Sequence, residues 1–89
     1  MRIKRKQLNA EELYGGNVLL TDVQTNSMYV LNETAFKMYQ LCDGKGQSDI
    51  IQDYVNTYSP FFDDKTTLIK DAEYILHCLC AIGVVIRSV

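Results

Sequence analysis

The chain has 89 residues, of which 47% are hydrophobic and 22% charged, a composition typical of a folded domain rather than of a disordered segment. A chain of this length forms a single domain, residues 1–89, with little room for an enclosed active site beside its core. Its net charge of −2 gives no general attraction to nucleic acid or to an anionic membrane. The basic start is not followed by the apolar stretch of a signal peptide, so we expect a cytoplasmic protein.

The first third of the chain has the period-two pattern of β-strands. A weak alternation over Arg2–Leu8 predicts a first strand, whose basic residues suit either a solvated edge or contact with an acidic partner. Val18–Val23 and Ser27–Leu31 flank a short polar connection. We therefore expect these two segments to pair as an antiparallel hairpin.

Three amphipathic patterns with helical spacing follow the strands, at residues 32–44, 48–58 and 63–83. Asn32 and Ser48 are the predicted N-caps of the first two helices, and Gly83 is predicted to end the third. The predicted fold class is therefore α+β and similar to a winged helix-turn-helix. An N-terminal antiparallel β-hairpin or three-stranded sheet is followed by three α-helices.

The sequence has few residues of the types that usually form catalytic or metal-binding sites. Cys42, Cys78 and Cys80 fall in predicted helices, where reduced thiols near the core are expected. No CxxC pair is present and His77 is the sole histidine, so we expect no metal site. Because the sequence also has no Ser/His/Asp set and no glycine-rich phosphate loop, we expect neither enzymatic activity nor a cofactor.

An ordered series of short motifs extends over nearly the whole chain. It comprises Gly16 with Val18-Leu19-Leu20, then Leu31-Asn32-x-x-Ala35, Cys42-Asp43-Gly44, Ile50-Ile51, and finally Asp71, Ile75, Leu76, Leu79, Gly83 and Val84. In this order and spacing, the series resembles the PqqD-like domains, which are recognition elements for ribosomally made, modified precursor peptides. The resemblance covers the chain as one free-standing peptide-binding domain.

The resemblance implies a non-catalytic adaptor that binds the leader segment of a precursor peptide and presents it to a modifying enzyme. In this family the enzymes include radical-SAM enzymes, as in pyrroloquinoline quinone assembly, lasso-peptide proteases and cyclodehydratases. The partners that the resemblance implies are thus a leader peptide and one such enzyme, without nucleic acid or membrane. The sequence does not specify the pathway.

The resemblance further implies binding by strand addition, with the leader antiparallel to the hairpin edge and covered by the third helix. We expect this edge at Ser27–Leu31, with Tyr29 and Leu31 facing the helices and Met28 and Val30 on the opposite face. On the third helix, the stripe beside the core stripe is expected to form the groove wall. The predicted leader-binding residues are Ser27, Met28, Tyr29, Val30, Leu31, Thr67, Lys70, Asp71, Tyr74 and Cys78.

Other interpretations stay open from the sequence. Tyr74 would also suit ordinary packing, and Lys70 and Asp71 would also suit a solvated helix surface. A winged-helix DNA-binding regulator shares the predicted shape, but neither of the last two helices has a basic face. A structural dimerisation subunit of another complex is a further alternative, because sheet edges also pair with themselves. The oligomeric state is open as well, since strand exchange through residues 1–13 would give a homodimer.

Overall fold

The structure is a computed structural model that describes residues 1–88. The strands in this range are β1 (Arg2–Arg5), β2 (Asn9–Glu12), β3 (Val18–Asp22), β4 (Ser27–Leu31), β5 (Asp43–Gly46) and β6 (Val85–Ser88). The helices are α1 (Glu33–Leu41), α2 (Gln47–Tyr58) and α3 (Lys65–Ile82). The predicted α+β class is confirmed. The strands form two antiparallel sheets, with the orders β5-β1-β6 and β2-β3-β4.

The predicted hairpin is formed by β3 and β4. Its inner face contributes Leu20 and Leu31 to the core, as the alternating pattern requires. In the connection, the Asp22 carboxylate accepts a hydrogen bond from the Gln24 N–H group at 3.0 Å. Asn26 adopts a left-handed conformation with φ 62°, which asparagine tolerates better than most residues. The polar connection thus closes the hairpin in the register that buries its apolar face.

The prediction of one strand over Arg2–Leu8 is wrong beyond Arg5. β1 pairs with β5 and β6, and the third strand of the hairpin sheet is β2. Between the two sheets, the Tyr39 hydroxyl donates a hydrogen bond to the Lys6 carbonyl and accepts one from the Leu8 N–H group. This aromatic side chain of α1 therefore fixes the point at which the chain passes from one sheet to the other.

α1 begins at the predicted cap but ends early. The Asn32 side chain accepts a hydrogen bond from the Ala35 N–H group at 2.9 Å, which satisfies a free donor of the first turn. The helix ends at Leu41 rather than at Gly44. The reason is that β5 leaves the helical path to pair with β1.

The ends of α2 and α3 agree with the predicted helix ends only in part. Ser48 lies inside α2, which starts after Gly46 without a side-chain cap, so the predicted Ser48 cap is wrong. α2 ends at Tyr58, as predicted. α3 is capped by Asp64, whose carboxylate accepts hydrogen bonds from two N–H groups of the first turn. The predicted end of α3 is confirmed, because Gly83 adopts the left-handed conformation with φ 84°.

The core lies between the three helices and the inner faces of the two sheets. α3 packs against α1, α2 and β6, and α2 also contacts β5. The largest fully buried aliphatic side chains are Ile3, Leu20, Met38, Ile50, Leu76, Leu79 and Val84. Each contributes about 1.5–3 kcal/mol on burial, so the core fixes α3 firmly relative to α1, α2 and β6.

The buried thiol of Cys42 makes the stability of the fold depend on pH in the alkaline range. Burial, followed by the nearby Cys80, raises the pKa of Cys42 from 9.0 to about 12. Above pH 9.0 the unfolded chain therefore loses this proton while the folded chain keeps it. The stability contributed by the protonated thiol is complete below the unfolded pKa and is lost as the pH rises towards about 12.

We predict that the free energy of unfolding decreases more steeply in this pH interval for the natural chain than for Cys42→Ala. The difference in slope approaches about 1.4 kcal/mol per pH unit, the value for one proton. Urea titrations of both proteins at several alkaline pH values measure it. Parallel slopes for the two proteins would contradict the assignment to Cys42.

Candidate peptide-binding site

An open groove of about 650 Å³ lies between α2, α3 and the start of α1. We call it the tyrosine groove. Asn32 and Thr34 line its α1 side, α2 contributes Tyr54 and Tyr58, and the loop before α3 contributes Phe62. Its size is within the range of pockets that enclose part of a ligand, about 300–1,000 Å³.

Two tyrosines form an aromatic pair on the α2 side of the tyrosine groove. Tyr54 and Tyr58 are one helical turn apart, and their ring centroids are separated by 4.8 Å at an interplanar angle of 49°. Tyr54 is buried and Tyr58 half-buried. Such rings offer apolar contact area together with a hydroxyl group, a combination that suits peptide contacts.

The first half of α3 forms the facing wall. Leu68 is buried at its base, Ile75 is half-buried, and Asp71 and Tyr74 lie on the exposed side. Thr67 also lines this wall, and its hydroxyl donates a hydrogen bond to the Asp64 carboxylate at 2.8 Å. The wall therefore changes from apolar at its base to polar at its rim.

The local environment keeps the phenols of the tyrosine groove protonated. Burial raises the pKa of Tyr54, with further contributions from Tyr58 and the Asp71 carboxylate. Burial and the Glu33 carboxylate raise the pKa of Tyr58. Both phenols therefore keep their protons to a higher pH than an ordinary tyrosine does, and in this neutral form a hydroxyl group can donate and accept hydrogen bonds.

The charged residues that line the tyrosine groove are all acidic. They are Asp63, Asp64 and Asp71, and no lysine or arginine among residues 1–88 lines the groove with them. The Asp64 carboxylate is occupied in capping α3. Asp63 and Asp71 therefore carry the negative charge that a ligand would meet at the rim.

One edge of β4 is open. Within the described part of the chain, β4 pairs with β3 alone, so every second residue directs its N–H and C=O groups away from the sheet. Leu31 and Tyr29 point inwards, whereas Met28 is 67% exposed and Val30 62% exposed. This alternation agrees with the predicted orientation. The tyrosine groove begins at Asn32, the residue after β4.

The predicted α3 residues are not all brought together. Thr67, Asp71 and Tyr74 line the tyrosine groove, whereas Lys70 and Cys78 do not. Lys70 is exposed beside the rim, and the half-buried Cys78 lies one turn beyond Tyr74, where its thiol raises the pKa of the Tyr74 phenol. The role of each of these residues in binding stays a prediction.

The sequence interpretation missed the other side of the tyrosine groove. The helical spacing of the sequence places Tyr54 and Tyr58 on the apolar stripe of α2 and Ile75 on that of α3, and it gives Phe62 no role. Two features of the sequence could have indicated this side: a pair of tyrosines at i,i+4 spacing and a phenylalanine in a polar loop. In the structure Phe62 is 56% exposed, as an apolar residue at a binding surface can be.

Other kinds of site lack support within residues 1–88. No group of three or more His, Cys, Asp and Glu side chains in this range is arranged to hold a metal ion. Cys42, Cys78 and Cys80 are free thiols. None of the helices described is both long and apolar enough to span a membrane.

The sequence profile of the family described as "Coenzyme PQQ synthesis protein D (PqqD)" matches residues 17–85. The chain belongs to the PqqD family. The segment matched in this PqqD family member extends from just before β3 into β6. It therefore includes the open edge of β4 and every residue named above as lining the tyrosine groove.

Among solved structures, the PqqD family member is similar to "TbiB1 in Complex with the TbiA(beta) Leader Peptide". The two chains are 17% identical, the alignment covers 97% of this chain and 98% of the other, and the TM-score is 0.69. At this identity the likeness establishes a shared fold over nearly the full length of both chains. No curated protein matches the sequence.

The electrostatic contact between α3 and the aromatic pair gives a prediction without a ligand. Asp71→Asn removes a negative charge that stabilises the protonated phenol, so the pKa of Tyr54 is expected to decrease. NMR titration of the chain with isotope-labelled tyrosine rings resolves the individual phenols. Asp49→Asn, on the same helix as Tyr54 but outside the groove lining, is the control. An unchanged Tyr54 pKa in Asp71→Asn would contradict the described geometry.

Proposed function

We propose that this chain is a non-catalytic adaptor that binds the leader segment of a ribosomally synthesised precursor peptide and presents it to a modifying enzyme. The observation that carries the proposal is an open strand edge that leads directly into an aromatic groove. Membership of the PqqD family supports it, as does the structural likeness to TbiB1, which was solved in complex with a leader peptide.

Strand addition to β4 would supply the part of the binding affinity that comes from hydrogen bonds of the leader backbone. A leader that extends the hairpin sheet pairs with the free N–H and C=O groups of β4, and each hydrogen bond contributes about 1 kcal/mol net. Side chains of an added strand alternate between the two faces of the sheet. One set of leader side chains would pack beside Met28 and Val30 on the outer face of the sheet. The other set would lie on the inner face, beside Tyr29.

The tyrosine groove accounts for selectivity. A large apolar leader side chain inserted between Tyr54, Ile75 and Tyr74 would gain about 1.5–3 kcal/mol from burial. Ordering a flexible leader costs about 2–5 kcal/mol or more of the gross interaction energy. A dissociation constant of about 1 µM corresponds to about −8 kcal/mol, so a leader needs several edge hydrogen bonds and at least two such anchors to reach it.

An adaptor of this kind acts by raising a local concentration. When the adaptor binds the leader and the enzyme at the same time, the modifiable segment meets the active site in an effectively intramolecular step. The rate of modification increases although the adaptor has no catalytic residues. The PqqD-like resemblance points to a radical-SAM enzyme, a leader protease or a cyclodehydratase as the partner. The chemistry and any cofactor would belong to that enzyme.

The sheet β5-β1-β6 offers a second surface for the enzyme. Arg2 and Lys4 are exposed on its outer face, and Ile86, opposite Lys4, is 51% exposed. None of these residues lines the tyrosine groove. A basic face with an apolar centre would suit an acidic patch of an enzyme and would leave the leader site accessible.

The charge distribution disfavours the other interpretations. The acidic lining of the tyrosine groove would repel the phosphates that a DNA-binding regulator must neutralise. A homodimer formed through the free edge of β2 would place Glu11 and Glu12 against the same residues or close to them in the second copy. We therefore propose that the adaptor does not dimerise through the edge of β2, while a homodimer by strand exchange through residues 1–13 stays a prediction.

Leader binding is expected to depend on Tyr74. With a fluorescent leader from the cognate precursor, Tyr74→Ala should weaken binding about fivefold or more, because tyrosine is enriched among the few interface residues whose truncation costs more than about 1 kcal/mol. Fluorescence anisotropy measures the change. Tyr14→Ala is the matched control, since Tyr14 is also an exposed tyrosine but lies outside the groove. Equal affinities for both variants would contradict the groove assignment.

The same leader tests strand addition when its backbone is methylated. N-methylation at one set of alternate residues removes the donors that face β4 and should abolish binding, while methylation at the other set should have a smaller effect. The protein is unchanged in this comparison, so folding does not affect the result. Strand addition would be ruled out if both methylated leaders bound like the unmodified one.

Enzyme docking is expected to depend on Lys4. In a reconstituted reaction with precursor and modifying enzyme, Lys4→Glu should slow modification severalfold through lost charge complementarity and leave the dissociation constant of the leader unchanged. Lys37→Glu, on α1, serves as the control for a change of charge alone. If the precursor is modified at the normal rate with Lys4→Glu, the enzyme does not dock on this surface.

A further inference from the structure

We propose that the tyrosine groove selects leader segments in which a lysine or arginine lies next to the large apolar anchor. The inference rests on the proposed function and specifies the chemistry of the peptide at the same site. Its basis is the combination of an apolar aromatic cavity with carboxylates at its rim and no basic side chain among the lining residues of the described chain.

The carboxylates act on the tyrosine groove from two sides. Asp71 projects from α3, close enough to Tyr54 to raise the pKa of its phenol. Glu33 belongs to the first turn of α1 and has the same effect on Tyr58. The negative potential therefore reaches the aromatic pair itself, where an apolar anchor would bind.

These carboxylates have no cationic partner within residues 1–88. The ion pair in that range joins Lys45 and Asp53 at 2.8 Å, and neither residue lines the groove. Lys65 and Lys70 belong to α3 but do not line the groove. A basic ligand side chain would thus gain a partner at Asp71, whereas an acidic one would meet repulsion.

Shape alone would not give this preference. An apolar cavity accepts any side chain of suitable size, so the flanking residue of the leader is where charge is discriminated. Replacing an attractive pair at a partly exposed site by a repulsive one changes affinity by about tenfold. The preference should weaken as salt is added, because these carboxylates are within reach of solvent ions.

The test is selection of binders from an mRNA-displayed library of random peptides about 15 residues long, enough to pair along β4 and enter the groove. The natural chain and Asp71→Asn are used in parallel as bait, with Asp49→Asn as the matched control. The natural chain and Asp49→Asn should enrich peptides with a Lys or Arg beside an aromatic or aliphatic anchor. With Asp71→Asn, the apolar anchor should persist while the basic preference decreases severalfold.

The outcomes separate the two proposals. An apolar anchor enriched without a basic neighbour, or a basic preference unchanged in Asp71→Asn, would overturn the charge selection and leave peptide binding intact. Failure to enrich any peptide on the folded natural chain would overturn both. For selected peptides, Lys→Glu at the flanking position should raise the dissociation constant about tenfold at low salt.

Discussion

Between the end of β4 and the start of α1, the chain changes from strand to helix within two residues. Leu31 is buried in the core as the last residue of the strand, and Asn32 already caps the helix through the Ala35 N–H group. Because the turn is so short, the open edge of β4 ends where the tyrosine groove begins, at Asn32 and Thr34. A longer connection would separate the two surfaces, so a single extended peptide would no longer reach both.

The two sheets have different roles in maintaining this arrangement. The sheet β5-β1-β6 connects both ends of the chain to the helices, for example through the hydrogen bond from the Arg5 N–H group to the Cys42 carbonyl at 2.7 Å. It also holds Val84 and Val85 in the core beside α3. The hairpin sheet contributes its inner face to the same core, but within residues 1–88 it leaves β4 unpaired on one side. One sheet therefore joins the terminal strands to the helices, while the other presents the edge that would receive a peptide.

Sequence patterns predicted the elements that bury an apolar face, namely the hairpin and the three helices. They did not predict β2, whose Asn-Ala-Glu-Glu is fully exposed, or β5, whose Asp-Gly-Lys-Gly is typical of a turn. Both are strands because a neighbouring strand supplies hydrogen bonds, which no local pattern reveals. At the site, periodicity identified the exposed stripe of α3 but neither how wide a part of it faces the groove nor how far along the helix the groove extends. Lys70 and Cys78 therefore lie outside the lining, and the contribution of α2 depends on a packing geometry that the sequence does not encode locally.

The central claim is that a leader peptide pairs with β4, and amide hydrogen exchange tests it most directly. In the free chain, the N–H groups of alternate β4 residues that point away from β3 should exchange rapidly, because no strand described in the structure pairs with them on that side. Saturating leader should slow their exchange by about tenfold or more, with β2 unchanged. Protection confined to the edge of β2, or bound leader without any protection in β4, would contradict the account.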